Sequence, residues 1–278
     1  MKYLTSFKRL SGAVVPRHRT ARTLLIGLLA AVAVPAGAQV AGAAPGKKPT
    51  ASPSLCRQYE HVAVKAPKGA EYVVRNDFWG TRRMCLKNSR LRPNFRVTKT
   101  SANKIHGNVM SFPYIFRGCS SGVCSRKGRL PARVTKLRYP KATWHAATRA
   151  SGQWNAALEL WFAKRKIHGG QANGAELMIW INTRNVPRAS KRIVWVDHTR
   201  WYLAKWRAKG HGRSWNYIQF RRVSRRRSVT NLKLWPFIKK AEQKHWIRPW
   251  YWMLNIEAGF EIWRGGKGLG TKAFSASP

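Results

Sequence analysis

Three short segments of the chain combine glutamate with tryptophan at a spacing that could place both on one side of a β-sheet. Side chains of a strand alternate between its two faces. The shared face would carry Glu159 and Trp161 in the first segment, Glu176, Met178 and Trp180 in the second, and Glu257, Glu261 and Trp263 in the third. Only nine acidic residues occur in the chain, so four of them in such settings indicate a function rather than solvated charge.

Paired carboxylates and indoles together suit the cleavage of a sugar polymer. A glycosidic bond is hydrolysed between two carboxyl groups, one that attacks or stabilises the anomeric carbon and one that protonates the departing oxygen. Indole rings supply flat apolar surfaces for sugar rings, and indole is hard to bury whole. The chain has 14 tryptophans, more than a core needs, so we predict that some line a cleft.

Longer motifs around these residues resemble the strand motifs of glycoside hydrolase family 12. They are Asn-Ala-Ala-Leu-Glu-Leu-Trp-Phe at 155–162, Gly-Ala-Glu-Leu-Met-Ile-Trp at 174–180 and Glu-Ala-Gly-Phe-Glu-Ile-Trp-Arg-Gly-Gly-Lys-Gly-Leu at 257–269. Cys-Arg-Gln-Tyr at 56–59, Asn-Asp-Phe-Trp-Gly at 76–80 and Ser-Phe-Pro at 111–113 also match, in the family's order. The similarity runs from about residue 54 to the end and is weakest over residues 183–231.

This resemblance implies an all-β fold, a concanavalin-like jelly-roll sandwich of two curved antiparallel sheets with one short helix and an open substrate cleft. The implied activity is that of a retaining endo-β-1,4-glucanase acting on cellulose-type β-glucan, with a xyloglucan-specific or mixed-linkage glucanase of the same family as the alternative. Glu176 takes the position of the nucleophile and Glu261 that of the acid/base. Glu159 stands where the family has an Asp that hydrogen-bonds near the nucleophile. We expect neither a cofactor nor a metal.

Seven further residues are expected to contact the sugar chain, from motif positions or strand phase: Tyr59, Asp77, Trp79, Asn155, Met178, Trp180 and Trp263. Two positions depart from the family pattern. Asp77 stands where relatives commonly carry an Asn, and Glu257 where a Gln is common. Glu257 is four positions from Glu261 on the same predicted face, so we expect its like charge to raise the pKa of Glu261. Residues 183–192 also depart, which leaves the cleft loop there without a prediction.

The N-terminal residues 1–38 are typical of a secretory signal peptide. A basic region precedes an apolar run at 24–34 and the small residues Ala-Gly-Ala at 36–38. The apolar run is too short for a transmembrane helix, which needs about 20 residues. We predict a leader at 39–54 and one catalytic domain at 55–278. A secreted, extracellular monomer without a transmembrane segment after processing is expected.

The four cysteines fit structural disulfides in an exported protein. Four cysteines allow three pairings. The spacing of Cys119 and Cys124 suits a small closed loop, which would leave Cys56 with Cys85, and the family resemblance implies the same pairing.

Turn signals between short apolar runs indicate an all-β domain. Strands are predicted at 71–76, 82–86, 134–137, 157–162, 176–182, 193–197, 200–205, 217–221 and 255–263. One helix is predicted to begin at Pro236, because Phe237, Ile238, Ala241, His245 and Trp246 follow helical spacing.

The net charge of +45 is not required for hydrolysis of a neutral glucan. Removing residues 1–38 would take away six basic and no acidic residues, leaving +39. Adsorption to an anionic polymer or surface therefore stays open, as does a basic binding protein for anionic cell-wall polymer or nucleic acid. The basic residues are spread along the chain and no nucleic-acid-binding motif occurs, so we expect no specific nucleic-acid partner. So positive a field should lower the pKa of both Glu176 and Glu261 and favour activity in acid.

Overall fold

The computed structural model describes residues 54–66, 69–89, 92–104 and 107–278. The predicted signal peptide and nearly all of the predicted leader lie outside these residues. Ser54, the last leader residue, already belongs to the first strand. Among the described residues no helix is long and apolar enough to cross a membrane.

Two sheets account for nearly all of the described secondary structure. The small sheet has six strands in the order β1-β4-β5-β19-β9-β15. These are β1 (Ser54–Leu55), β4 (Met84–Lys87), β5 (Phe95–Thr100), β9 (Lys141–Ala147), β15 (Ser228–Lys233) and β19 (Gly270–Ser277).

The large sheet follows the path β12-β13-β14-β11-β10-β17-β6-β3-β2. Its strands are β2 (His61–Lys65), β3 (Glu71–Arg75), β6 (Tyr114–Ser120), β10 (Gly152–Ala163), β11 (Ala175–Arg184), β12 (Ile193–Val196), β13 (Thr199–Gly210), β14 (Arg213–Arg222) and β17 (Asn255–Gly259). Four short strands pair at its margins: β7 (Val123–Cys124), β8 (Ala132–Arg133), β16 (Trp252–Met253) and β18 (Ile262–Gly265).

The main core lies between the two sheets, as a jelly-roll sandwich requires. Phe260, between β17 and β18, packs against Trp144 of β9 and Phe95 of β5, with ring centroids 5.4 and 6.1 Å apart. The strand phases predicted from the sequence are confirmed. Leu158, Leu160 and Phe162 all face this core, as do Leu177, Ile179 and Ile181.

The sheets depart from the antiparallel prediction in one pairing. β11 and β14 run parallel, with Glu176 beside Tyr217 and Trp180 beside Arg221, whereas every other described pairing of named strands is antiparallel. A parallel pair needs a long connection, and the β12–β13 hairpin between β11 and β14 provides it.

Two predicted strands and the predicted helix differ in the structure. Residues 134–136 form a 3₁₀ turn rather than a strand, with the Val134 side chain buried and its N–H donated to the Tyr251 carbonyl. The strand predicted at 255–263 is interrupted at Phe260 and Glu261, where the Glu261 N–H bonds to the Asn155 side chain instead of a ladder partner.

The helix α1 spans Trp235–Gln243 and buries Phe237, Ile238 and Ala241 as predicted. His245 and Trp246 lie beyond its end. His245 has a left-handed φ of 56°, and the Trp246 N–H bonds back to the Ala241 carbonyl. That bond satisfies a terminal carbonyl and ends the helix before the predicted pattern does.

Both disulfides are formed as predicted. Cys56 is bonded to Cys85 and Cys119 to Cys124. The first links the residue that follows β1 to the adjacent β4, and the second closes the β6–β7 hairpin.

Candidate active site

The face of the large sheet that points away from the main core carries a second cluster of buried aromatic side chains, and we call it the cleft face. Three glutamates lie on it in adjacent strands. Glu159 of β10 is paired with Glu257 of β17 on one side and with Met178 of β11 on the other. Glu176 of β11 lies between Trp161 and Tyr217. The sheet register thus assembles glutamates that are distant in sequence.

Glu176 is held by neutral and acidic hydrogen-bond donors. Trp215 Nε1 donates to Glu176 Oε2 at 2.6 Å, and the Glu159 carboxyl hydrogen-bonds to the same group. Burial raises the pKa of Glu176 to about 7, and the two hydrogen bonds oppose that rise. The donors favour the ionised form of Glu176, as a nucleophile requires.

Glu261 lies where β17 gives way to β18 and is fixed by Asn155. Asn155 Nδ2 donates to Glu261 Oε2, and Asn155 Oδ1 accepts the Glu261 backbone N–H at 3.1 Å. Burial and then the charge of Glu176 raise the pKa of Glu261 to about 8, against the Asn155 hydrogen bond. A carboxyl in this setting keeps its proton at neutral pH.

Glu159 and Glu257 extend the row of carboxyl groups. Burial, followed by the charges of Glu176, Glu257 and Glu261, raises the pKa of Glu159 well above its usual range. The protonated Glu159 is hydrogen-bonded with both Glu176 and Glu257. Burial raises the pKa of Glu257 to about 8, and Asn255 Nδ2 donates to Glu257 Oε1 at 2.7 Å.

The sequence predicted that the charge of Glu257 would raise the pKa of Glu261, and this prediction is wrong. Glu176, not Glu257, is the charged neighbour that raises the pKa of Glu261, whereas Glu257 acts on Glu159. Pairing of β10 with β17 puts Glu257 opposite Glu159, and the interruption of the strand at Phe260 carries Glu261 out of that row.

The lowering of the carboxyl pKa values by the positive surface field stays a prediction, and burial has the larger effect. Burial raises the pKa of both Glu176 and Glu261, because desolvation of the carboxylate acts at the site itself while surface charges lie farther away in water.

A second polar group lies on β3 and the segment after it. Burial raises the pKa of Asp77 to about 7, and the neighbouring Arg75 opposes this rise. Arg75 is buried, its guanidinium lies 5.5 Å from the Tyr59 ring centroid, and its Nε has no hydrogen-bond partner among the described residues. The charges of Asp77 and Arg75 both act on Glu257, so this group adjoins the row of glutamates.

The predicted aromatic contacts fall into two sets. Trp180 and Trp263 are edge-to-face with centroids 6.5 Å apart, and Trp79 packs against the same cluster. Trp180 Nε1 has no partner within the described chain, whereas Trp263 Nε1 donates to the Gly107 carbonyl at 3.0 Å. Tyr59 is 45% exposed, and its ring lies beside the Arg75 guanidinium. Met178 is only 1% exposed, which limits its contact with a ligand.

The sequence reading missed Trp215, Tyr217, Gln219 and Arg75 as site residues. On β14 the first three alternate with the core residues Ile218 and Phe220, a pattern visible in the sequence. Trp206 stacks on Tyr217 with centroids 4.0 Å apart. The parallel β11–β14 pairing that brings Trp215 to Glu176 had no sequence signal.

The cleft loop that lacked a prediction is held by arginines. Arg221 Nη1 donates to the carbonyls of Val186 and Pro187 at 2.9 Å each, and Nη2 donates to Thr183 Oγ1. Arg225 Nη1 donates to the Thr183 carbonyl at 3.2 Å. The loop after β11 is thereby fixed at the end of the cleft face next to Trp180.

Comparison with known proteins agrees with this geometry. The family model described as glycosyl hydrolase family 12 matches residues 70–277. The endoglucanase cel12A from Rhodothermus marinus is 32% identical with a TM-score of 0.73, over 81% of this chain and 98% of that one. A metagenome-derived family 12 endoglucanase is 33% identical with a TM-score of 0.71, over 81% and 97%.

More distant structures share the fold. A family 12 xyloglucanase from Bacillus licheniformis is 19% identical with a TM-score of 0.69, over 81% of this chain and 99% of that one. A search of the curated proteins finds no match. With a jelly-roll sandwich, a cleft face bearing clustered glutamates and a family match over most of its length, this chain belongs to glycosyl hydrolase family 12.

Proposed function

We propose that this glycoside hydrolase is a secreted endo-β-1,4-glucanase that cleaves internal bonds of cellulose-type β-glucan with retention of configuration. Glu176 is the nucleophile and Glu261 the general acid/base. The observation that carries the proposal is the contrast between their surroundings. Donors from Trp215 and Glu159 converge on Glu176, while Glu261 has the negative charge of Glu176 as a neighbour.

The two pKa values support different protonation states. Burial raises both pKa values, but the hydrogen bonds from Trp215 and Glu159 oppose the rise at Glu176, whereas the charge of Glu176 adds to the rise at Glu261. Glu176 therefore loses its proton before Glu261 does. Glu176 can then attack the anomeric carbon while Glu261 protonates the leaving oxygen. In the second step the ionised Glu261 takes a proton from water, which displaces Glu176 from the glycosyl intermediate.

Glu159 has a supporting role in this scheme. Its proton lies in the hydrogen bond to Glu176, which stabilises the carboxylate before attack and after its release. Tyr59, Trp79, Trp180 and Trp263 are the proposed aromatic surfaces for sugar rings, with Asp77, Asn155 and Met178 as further contacts. Asn155 acts in addition by holding Glu261.

The proposal of a cellulose-type substrate is supported by the two relatives above 30% identity, both titled endoglucanases. A xyloglucan-specific or mixed-linkage glucanase of the same family is the alternative. The loop fixed by Arg221 borders the cleft face beside Trp180 and is the segment expected to decide between them.

Hydrolysis of three neutral polymers tests the function directly. Hydroxyethyl cellulose, barley mixed-linkage glucan and xyloglucan are compared by viscosity and by reducing ends, and viscosity should fall first because internal bonds are cut. Glu176→Gln should lower kcat by more than about 10⁴-fold and Glu261→Gln by about 10²- to 10⁴-fold. Asp197→Asn, on a surface hairpin, is the control and should keep wild-type activity.

Two further measurements separate the roles. An aryl glucoside with a good leaving group needs little protonation, so Glu261→Gln should recover much of its cleavage rate on it and Glu176→Gln should not. By NMR the first product should be the β-anomer. An inverted first product, or Glu176→Gln within about tenfold of wild type, would refute these assignments.

Secretion is supported by the N-terminal pattern of the sequence and by the two disulfides. Sequencing the N-terminus of the protein recovered from culture medium should find cleavage near residue 38. Recovery of the protein from inside the cells with residues 1–38 still attached would contradict the proposed localisation.

A further inference from the structure

A shallow pocket of about 260 Å³ lies at the edge of the large sheet, away from the glutamates. Strands β12 and β13, together with the segment after β14, form it. Its lining includes Trp195, His198, Arg200, Arg222 and Arg226. We call this site the cationic pocket. No acidic side chain is among its lining residues.

The hairpin of β12 and β13 sets the aromatic part of the pocket. Trp195 and Arg200 are direct cross-strand partners, and such partners project from the same face of a sheet. Both side chains project from the cleft face, since Trp201, the next residue, points into the main core. Arg222 is the partner of Trp201 on β14 and projects from the opposite face, so the pocket extends across the end of these strands. Trp195 is 63% exposed, so its indole is available to a ligand.

The arginines of the pocket are positioned by the protein itself. The Arg222 guanidinium lies 5.4 Å from the Trp201 ring centroid, and its Nε donates to the Ser224 carbonyl at 3.0 Å. Arg226 lies close enough for its charge, after burial, to lower the pKa of Arg222. Two like charges are therefore held together without a neutralising carboxylate.

The nearest acidic residue in sequence does not relieve this repulsion. Asp197, in the turn of the hairpin, is paired with Lys233 at 3.4 Å. Arginine stays protonated at any physiological pH, so the repulsion persists, and an anion that binds to the guanidinium groups would relieve it. The planar fork of arginine matches carboxylate oxygens.

These features specify the kind of ligand. An exposed indole beside forked cations fits a sugar ring that carries an acidic group, because the ring face stacks on the indole while the guanidinium groups take the charge. A single-stranded nucleic acid would need a row of stacking rings along a basic groove, and the cationic pocket offers one exposed ring.

We propose that Trp195, Arg200, Arg222 and Arg226 form an anchoring site for polysaccharides that carry carboxylates, separate from the hydrolytic cleft. The ligand is a uronate-type polymer that is bound and not cleaved. The site thus holds the enzyme to an acidic polysaccharide while the cleft acts on a neutral glucan.

Affinity electrophoresis in gels containing polygalacturonate at 0.1 M salt tests the site. Arg200→Gln/Arg226→Gln removes two exposed charges and should weaken binding at least about tenfold, the value of one charge-assisted hydrogen bond. Lys87→Gln/Arg96→Gln is the matched control, because these exposed residues are cross-strand partners on the small sheet. It should change binding less than about twofold, as expected for solvated charges.

A second variant tests the aromatic contact. Trp195→Ala should weaken polygalacturonate binding by about two- to tenfold while its hydrolysis of hydroxyethyl cellulose stays at the wild-type rate. Melting temperatures of all variants establish that they are folded.

Two results would overturn the proposal. Equal losses in Arg200→Gln/Arg226→Gln and in the control would mean that the whole cationic surface, not this pocket, binds the polymer. Binding of oligo-dT as tight as that of polygalacturonate, and equally sensitive to Trp195→Ala, would mean that the pocket selects no acidic sugar. Loss of hydrolysis in Glu176→Gln leaves this test unaffected, so the two proposals fail independently.

Discussion

The cleft and the outer surface of this protein differ in the sign of their ionisable side chains. Five of the nine acidic residues belong to the cleft: Asp77, Glu159, Glu176, Glu257 and Glu261. The other four are spread over the rest of the chain, and the chain as a whole carries 54 lysines and arginines. Only two salt bridges occur among the described residues, Lys233–Asp197 and Lys239–Glu242, and neither is in the cleft.

This difference shows what sets the pKa values of the glutamates in the cleft. Neutral donors such as Trp215, Asn155 and Asn255 serve the glutamates, and burial is the largest cause of every pKa shift among them. A buried site with neutral partners is insulated from the surface, so the surface can accumulate positive charge without disabling catalysis. The following experiments change one region while the other stays constant.

Removing the indole donor should have the largest effect. Trp215→Phe should lower kcat about 10- to 100-fold, because a hydrogen bond to a charged group is worth about 1.5–3 kcal/mol. The acid limb of the pH-rate profile should move to higher pH, since Glu176 becomes harder to ionise. Trp144→Phe is the control, because its buried indole bonds to Thr271 in the small sheet; it should cost stability and leave the profile in place. Identical profiles for both variants would contradict the role of Trp215.

Replacing Glu257 should change the pH dependence of stability. With a folded-state pKa of about 8 against a usual 4.5, the folded protein keeps a proton that the unfolded chain releases as pH rises through this window. The stability contributed by Glu257 is therefore present below pH 4.5 and lost as pH approaches 8. Glu257→Gln should remove that loss and stabilise the protein by up to about 4 kcal/mol at pH 8, at about 1.36 kcal/mol per pKa unit.

Urea unfolding at pH 4.5 and pH 8 measures this effect. The surface variant Asp197→Asn should keep the wild-type difference between the two pH values. An unchanged difference in Glu257→Gln would show that the buried carboxyl keeps its ordinary pKa.

Salt should have the smallest effect. Raising the salt concentration from about 0.02 to 0.5 M screens the surface field, whose range is about 10 Å at 0.1 M, so the alkaline limb set by Glu261 should rise by a few tenths of a pH unit, roughly. A limb that does not move means that surface charge has no influence on catalysis. A shift of more than about one unit would contradict the contrast between cleft and surface, because surface charge and not burial would then be the main influence on the pKa of Glu261.

The sequence predicted the centre of the cleft better than its ends. Alternation along β10 and β11, together with the family motifs, predicted the cleft faces of Glu159 and Glu176, since a two-residue period is a local property of the chain. The contributions of Trp215 and Arg75 depend on which strands become neighbours, and register and strand order are not local. The split of the strand at Phe260 was likewise set by a distant side chain, Asn155.

The edge strand β12 has a consequence for how copies of the protein behave in solution. It ends the path of the large sheet, and an edge strand offers unpaired backbone groups on which a second molecule can extend the sheet. Ile193 and Trp195 are both exposed there, which would favour such edge-to-edge aggregation. Lys191 and Arg192 before the strand and Arg200 beside it bring like charges together whenever two such edges approach. The positive surface thus acts as a colloidal stabiliser, keeping concentrated enzyme dispersed at an edge that would otherwise seed its precipitation.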